Sequence, residues 1–194
     1  MVARAGEYRM PALGITDHGG MFGVIEFHNA CMDAGVKPVI GFEAYVAPRS
    51  RLEKSKRSDE HAADHLVLLA KNNTGYHNLM KLSSIGYVEG FYYKPRIDLE
   101  VLRAHAEGVI ATTACMAGAV PRALIAGDQE EAKRLAEEYA GVFAEGDFYF
   151  ELQRHGIDEE EVVNRGLLEL SAQMGIPVVA ANDAHYLRQE DAVS

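Results

Sequence analysis

Apolar runs alternate with amphipathic stretches along the whole chain. Six runs, at 12–16, 38–46, 65–70, 108–113, 147–152 and 177–182, are short and almost continuously hydrophobic. Strands of a parallel sheet covered on both faces carry this pattern, because neither face meets water. Between them, apolar residues recur at helical spacing over about 22–34, 74–88, 98–106, 118–126, 129–145 and 158–174. The 129–145 stretch is the clearest. Ala132, Leu135, Ala136, Tyr139, Val142 and Phe143 make one stripe, with Glu130, Glu131, Lys133, Arg134, Glu137 and Glu138 on the wet side. Gly35, Gly108, Gly127, Gly146 and Gly175 stand where helices should stop, and Asp98, Asp128 and Asp158 where side chains should cap helix starts. Residues 1–10 read as the tail of a helix feeding the first strand. The alternation predicts a single α/β domain over 1–194. A barrel suits it better than a doubly wound sheet, because candidate ligands occur along the whole chain. The abrupt opening and close lead us to expect a chain shortened at both ends.

Composition narrows the class. The 194 residues, 48% of them hydrophobic, suffice for one substantial core. No apolar run approaches the ~20 residues that span a bilayer, and Met1–Tyr8 lacks the apolar centre of a secretory signal. No membrane partner is expected, and a cytoplasmic location is the default. Cys31 and Cys115 form no CxxC pair, so reduced thiols are expected. Nineteen basic against 29 acidic residues give a net charge of −10, which argues against this domain as the main nucleic-acid grip. Arg49, Arg51, Lys54, Lys56 and Arg57 are the local exception, readable as a solvated mobile loop or as a phosphate-touching one.

The chemistry-bearing residues gather at the ends of the apolar runs. Asp17-His18 closes the first run, and Asp183 and His185 follow the last in a D-x-H arrangement. Carboxylate and imidazole at strand ends can hold a divalent ion; a turn in which Asp17 bonds nearby backbone and His18 is simply exposed remains open. Asp183 and His185 would share a face if the strand continued through 185. Glu43 lies inside Val39–Val46, and a buried carboxylate costs several kcal/mol unless paired, hydrogen-bonded or metal-bound. A solvent-facing Glu43 is the alternative. His65 precedes its run, so the argument from a shared rim of strand ends does not reach it. Cys115, after Val109–Ala114, is a thiolate candidate or a small buried cysteine. Arg154 and His155 follow the fifth run, where they could bind phosphate, support a ligand, or belong to a plain loop. His28, Cys31, His77 and His105 fall on helical patterns and read as packing or surface residues. No P-loop, GxGxxG, GxSxG or paired CxxC pattern is present.

Six segments carry a resemblance: Pro11–Gly19, Gly35–Val46, His65–Ala70, Asn73–Tyr76, Lys94–Asp98 and Ala181–Tyr186. In this order they resemble the polymerase-and-histidinol-phosphatase (PHP) domain, most closely the version that opens the α subunit of bacterial replicative DNA polymerase III. The resemblance implies a distorted, TIM-like (β/α)7 barrel holding up to three divalent metals, zinc or manganese. It matches His18, Glu43, His65, Cys115, Asp183 and His185 to metal ligands, with His18, Glu43 and Asp183 acting in catalysis through the metal. Asp17, Arg154 and His155 are left to phosphate or supporting roles. The family's first strand carries His-x-His followed by a loop aspartate, and this chain begins after both. One barrel stave is therefore expected to be missing, with fewer metals and weak or absent hydrolysis. The resemblance further implies phosphoesterase or 3′→5′ exonuclease chemistry. The partners it implies are the rest of a polymerase α subunit, a proofreading exonuclease subunit and, through the full-length protein, DNA. A non-catalytic metal-stabilised scaffold and a stand-alone phosphatase are the alternatives.

Overall fold

A computed structural model describes residues 1–54, 63–188, 190 and 191. Lys56 and Arg57 lie outside the described residues. Among the described residues, seven helices and seven strands alternate with two exceptions. Helix α1 (Val2–Glu7) feeds β1 (Ala12–His18), then α2 (Val24–Ala34), β2 (Lys37–Val46), β3 (Asp64–Ala70), α3 (Asn73–Val88), β4 (Arg96–Ile97) and α4 (Leu99–Ala104). The second half runs β5 (Val109–Thr112), α5 (Ala119–Ile125), α6 (Gln129–Ala140), β6 (Phe148–Leu152), α7 (Asp158–Met174) and β7 (Val178–Ala180). The six predicted strands form the path β1-β2-β3-β5-β6-β7, and the unpredicted two-residue β4 pairs with β2. Among the described residues, neither β1 nor β7 has a second strand neighbour. None of the described helices is long and apolar enough to cross a membrane.

One strand corrects the expected parallel pattern. β1 runs parallel to β2, and β5, β6 and β7 run parallel to one another, but β3 is antiparallel to both β2 and β5. An apolar run buried on both faces carries no mark of its direction. The start of β3 therefore meets the end of β2: His65 lies opposite Tyr45, and Val67 opposite Glu43.

Side-chain alternation divides the sheet into two chemistries. Phe42, Ala44, Val46, Leu66, Leu68, Ala111, Phe148 and Phe150 point to one face. They pack against Leu79 and Leu82 of α3, Leu102 of α4, Leu124 of α5, Ala136 of α6 and Leu167 of α7. The opposite face carries Glu43, Tyr45, His65, Thr112 and Glu151. At roughly 25 cal/mol per Å² of apolar area withheld from water, the helix-covered face supplies the main stabilisation, which leaves the other face free for polar groups.

Helix ends follow the expected signals in part; Gly108 and Gly146 lie beyond the helices they were expected to stop, which end at Ala104 and Ala140. Gly35 and Gly175 take left-handed φ of 67° and 72° as C-caps. Asp98 and Asp128 accept the backbone N–H of Val101 and Glu131 as N-caps. Asp158 is instead the first helical residue of α7, and the start is closed by Glu160, which accepts from the Ile157 N–H at 3.4 Å. Helix α6 stops at Ala140, five residues short of the predicted 145, because Gly141 ends it.

The basic stretch after β2 is not a solvated loop throughout. Arg51 is only 9% exposed. Its guanidinium reaches Asp98 at 3.1 and 3.2 Å and Glu89 at 2.7 Å, and its backbone N–H donates to Asp98 as well. Arg49 pairs with Glu53 at 2.6 Å. Arg96, 1% exposed, donates to the carbonyls of Gly90, Arg51 and Glu53, and burial lowers its pKa. Arg51 and Arg96 thus serve as internal struts, which removes Arg51 from the phosphate-touching candidates.

Candidate metal centre

The parallel register of β1 on β2 sets His18 beside Glu43. The antiparallel register of β3 adds His65 two residues further along the same face. The reversed strand therefore brings to the rim a histidine that a parallel strand would have left at the far end. Candidate ligand atoms of His18, Glu43 and His65 all lie within 4.8 Å of one another. Glu43 is 3% exposed, and its Oε1 faces His18 Nδ1 at 3.6 Å and, closer, His65 Nδ1. Among the described residues, no group makes a well-aligned hydrogen bond to that oxygen, although His65 Nδ1 stands at ion-pair distance. A buried carboxylate oxygen without a well-aligned donor is costly, and two ring nitrogens converge on the same point.

Of the other expected ligands, Cys115 and His185 stand beside these three. Cys115 Sγ lies 3.5 Å from His65 Nδ1. The turn carrying it is tight, since Ala114 has φ of 56° and a Cβ on Gly118 would sit 2.1 Å from the Thr113 carbonyl oxygen. The His185 ring centroid is 5.6 Å from that of His18. Asp183 and His185 do not reach the rim along a strand, because β7 ends at Ala180 and Asp183 takes φ of 42°. The Asp-x-His segment is instead bent, with His185 Nδ1 2.8 Å from the Asp183 carbonyl oxygen. Asp17 points away from the cluster, accepting the Gly23 N–H at 2.8 Å and so closing the loop into α2.

Burial opposes a charge on His65, but the Cys115 and Glu43 side chains outweigh it and raise its pKa to about 9. A proton there partly balances the buried carboxylate. A divalent cation would balance it further, displacing that proton.

Sequence reasoning passed over Glu151. It is 6% exposed on β6, with Oε1 accepting from Gln153 Nε2 at 2.7 Å and Oε2 from the Thr112 hydroxyl. Burial raises its pKa; the two hydrogen bonds oppose the shift, and the charges of Asp183 and Glu43 reinforce it. The signal used for Glu43, an acid inside an apolar strand, applied equally to Phe148–Leu152. Tyr45 was also missed. Its ring meets His65 edge-on at 5.2 Å and stacks toward His18 at 6.3 Å, with Lys94 Nζ 4.3 Å from its centre.

Of the remaining expected residues, Arg154 has an 81% exposed side chain, 3.1 Å from Glu161. His155 bridges Glu160 and the carbonyl of Asn182. His28 and His77 are exposed, and Cys31 is fully buried.

Comparison with known proteins places this geometry in context. The PHP domain family model matches residues 1–155. DNA polymerase III subunit alpha of Treponema pallidum is 46% identical over 194 residues, which is 100% of this chain and 17% of that protein. The Borreliella burgdorferi protein of the same name is 45% identical with the same coverage. That of Thermus aquaticus is 44% identical over 94% of this chain and 15% of its own length. The chain thus spans about a sixth of the curated relatives it matches. A proposed metal-dependent phosphoesterase from Bifidobacterium adolescentis superposes with a TM-score of 0.57 at 15% identity, covering 95% of this chain and 81% of that one. The likeness shows a shared α/β fold of the distorted-barrel kind.

Proposed function

The chain belongs to the PHP domain family, and from that premise we propose that it holds a divalent-cation site for phosphoester cleavage within a replicative DNA polymerase α subunit. The observation that carries the reading is Glu43 Oε1, buried, with two imidazole nitrogens converging on it and no well-aligned hydrogen bond among the described residues. His18, Glu43 and His65 form the nucleus of the site, and Cys115, Asp183 and His185 complete it. Imidazole, carboxylate and thiolate together suit zinc, and the carboxylates suit manganese as well. When bound, such an ion supplies Lewis-acid stabilisation of a phosphoryl oxygen and lowers the pKa of water.

The chain's own residues do the rest. Glu43 presents its charge where water screens it least. The Tyr45 ring packs edge-on against the His65 imidazole and lies nearly parallel to that of His18. Arg154 can exchange its exposed partner Glu161 for a phosphate oxygen at little cost, because exposed pairs are worth only about 0–1 kcal/mol. DNA synthesis itself belongs to the rest of the α subunit, in the bacterial cytoplasm.

A second reading applies to the chain taken alone. The His18 and His185 side chains are 45% and 56% exposed, and the close cluster holds three ligand residues. Such a site favours cation binding with little turnover, as a scaffold that braces the polymerase and docks a proofreading exonuclease. Metal analysis of the purified chain, followed by manganese-dependent release of nucleotides from a DNA 3′ end, separates the readings. Glu43→Ala and Asp183→Ala abolish hydrolysis if the metal carries it; activity surviving both substitutions removes the metal mechanism.

A further inference from the structure

His155 stands in the loop between β6 and α7, outside the cluster of ligands. Its Nδ1 lies 2.6 Å from Glu160 Oε1, and its Nε2 lies 2.7 Å from the Asn182 carbonyl oxygen. A carboxylate and a carbonyl can only accept, so the ring satisfies both contacts only when both nitrogens carry hydrogen. His155 is therefore an imidazolium in this arrangement. Its anchor is rigid: Glu160 is 3% exposed and also takes the backbone N–H of His155 at 2.6 Å and of Ile157 at 3.4 Å.

What the ring holds is as informative. Asn182 immediately precedes Asp183, whose φ of 42° turns the chain toward the rim. Just before it, the Ala181 N–H donates to the Leu152 carbonyl at 3.0 Å. The Ala181 tether belongs to the sheet, and β7 ends one residue earlier. Beyond it, the His155 contact fixes the carbonyl from which the Asp183 turn departs.

We propose that His155 is the positioning residue for the ligand segment 183–185, a cationic strap from the start of α7 to the chain that carries Asp183 and His185. The proposal rests on the metal-site reading above. It adds that the later ligands are set by a charge-assisted bridge and not by strand geometry. Partners that orient ligands typically influence metal affinity by about 10–100-fold.

Cobalt(II) titration of the full chain, followed by visible absorption, tests the strap. His155→Ala and His155→Gln are expected to bind cobalt about 10–100-fold more weakly, with a spectrum of fewer protein ligands and unchanged far-ultraviolet circular dichroism. His155→Arg, whose guanidinium donates in two directions, is expected to recover part of that loss. In 15N NMR of the metal-free chain, the His155 ring should show two slowly exchanging N–H groups. Equal cobalt affinity in the unaltered and Ala chains overturns the proposal, and so does a singly protonated ring. If the unaltered chain binds no cobalt, the metal-site reading falls instead. The strap is then judged on the ring signals and on exchange of the Ala181 amide, which His155→Ala accelerates if the strap holds the segment and leaves alone if it does not.

Discussion

Cys115 Sγ approaches His65 Nδ1 to 3.5 Å, while Glu43 Oε1 faces the same nitrogen. One ring atom thus has a thiol and a buried carboxylate as neighbours, contributed by three different elements. Soft, borderline and hard donors meet within a few ångströms, and the cluster can act as a unit only if each is held in place.

Removing the carboxylate should undo that unit. Glu43→Ala is expected to lower zinc or manganese affinity by at least about 100-fold, since on the proposed reading it deletes a direct ligand and not a supporting one. Calorimetric titration of the metal-free chain checks this. Affinity unchanged within a few-fold would place the cation elsewhere.

Asp98 predicts a stability effect without a metal effect. It is 1% exposed, caps α4 and receives both the backbone and the guanidinium of Arg51. Asp98→Ala leaves a nearly buried guanidinium short of a partner, a change that typically costs about 3–5 kcal/mol. Urea unfolding should register the loss, with cobalt affinity of the folded protein unaltered. A loss below about 1 kcal/mol would show that Glu89 and Glu100 suffice for Arg51.

The strap should have its own pH window. The Asn182 carbonyl, then Glu160 and Asp183, raise the His155 pKa above 6.5. Burial opposes ionisation of Glu160, but hydrogen bonds from the His155 backbone and ring outweigh it and carry its pKa below 4.5. The His155 contribution is complete below its unfolded value and fades as pH rises through the folded one. The Glu160 contribution is complete above its unfolded value and fades as pH falls. Together they peak between the reference values of 4.5 and 6.5. The stability difference between unaltered and His155→Ala chains should be widest there; a difference that is flat with pH contradicts the bridge.

Glu151 separates charge from packing. Burial raises its pKa, and Thr112 and Gln153 supply its hydrogen bonds. Glu151→Gln keeps the shape and removes a buried charge, so thermal stability at neutral pH should hold or rise by about 1 kcal/mol. Cation affinity should fall, because one negative charge leaves the face that carries Glu43. A gain in affinity would show that Glu151 acts otherwise than by charge.

Much of this was legible in the chain. Helix α7 matches its predicted bounds, and the six path strands agree to within one or two residues at each end, because period and glycine punctuation are local properties. Direction is not local. Nothing in His65–Ala70 says that β3 runs backward, so the argument from strand ends missed why His65 reaches the rim. Asp183 and His185 were noticed for a strand spacing that the backbone does not adopt; a turn and a bridging imidazolium took its place. Arg51 looked like a surface cation because its partners, Glu89 and Asp98, lie far along the sequence. Glu151 was readable by the Glu43 argument and was passed over.

Among the described residues the curled sheet stops at β1 on one side and β7 on the other, each leaving a row of N–H and C=O groups that no further strand shares. Val178 and Val179 stand 40% and 37% exposed on the second of these borders. A foreign segment zipping onto either border would gain backbone bonds and wall in the flank beside His18 or Asp183 together. Retention of a cation at the proposed site and recruitment of a neighbour would then share one equilibrium, so that tighter company outside means slower escape from within.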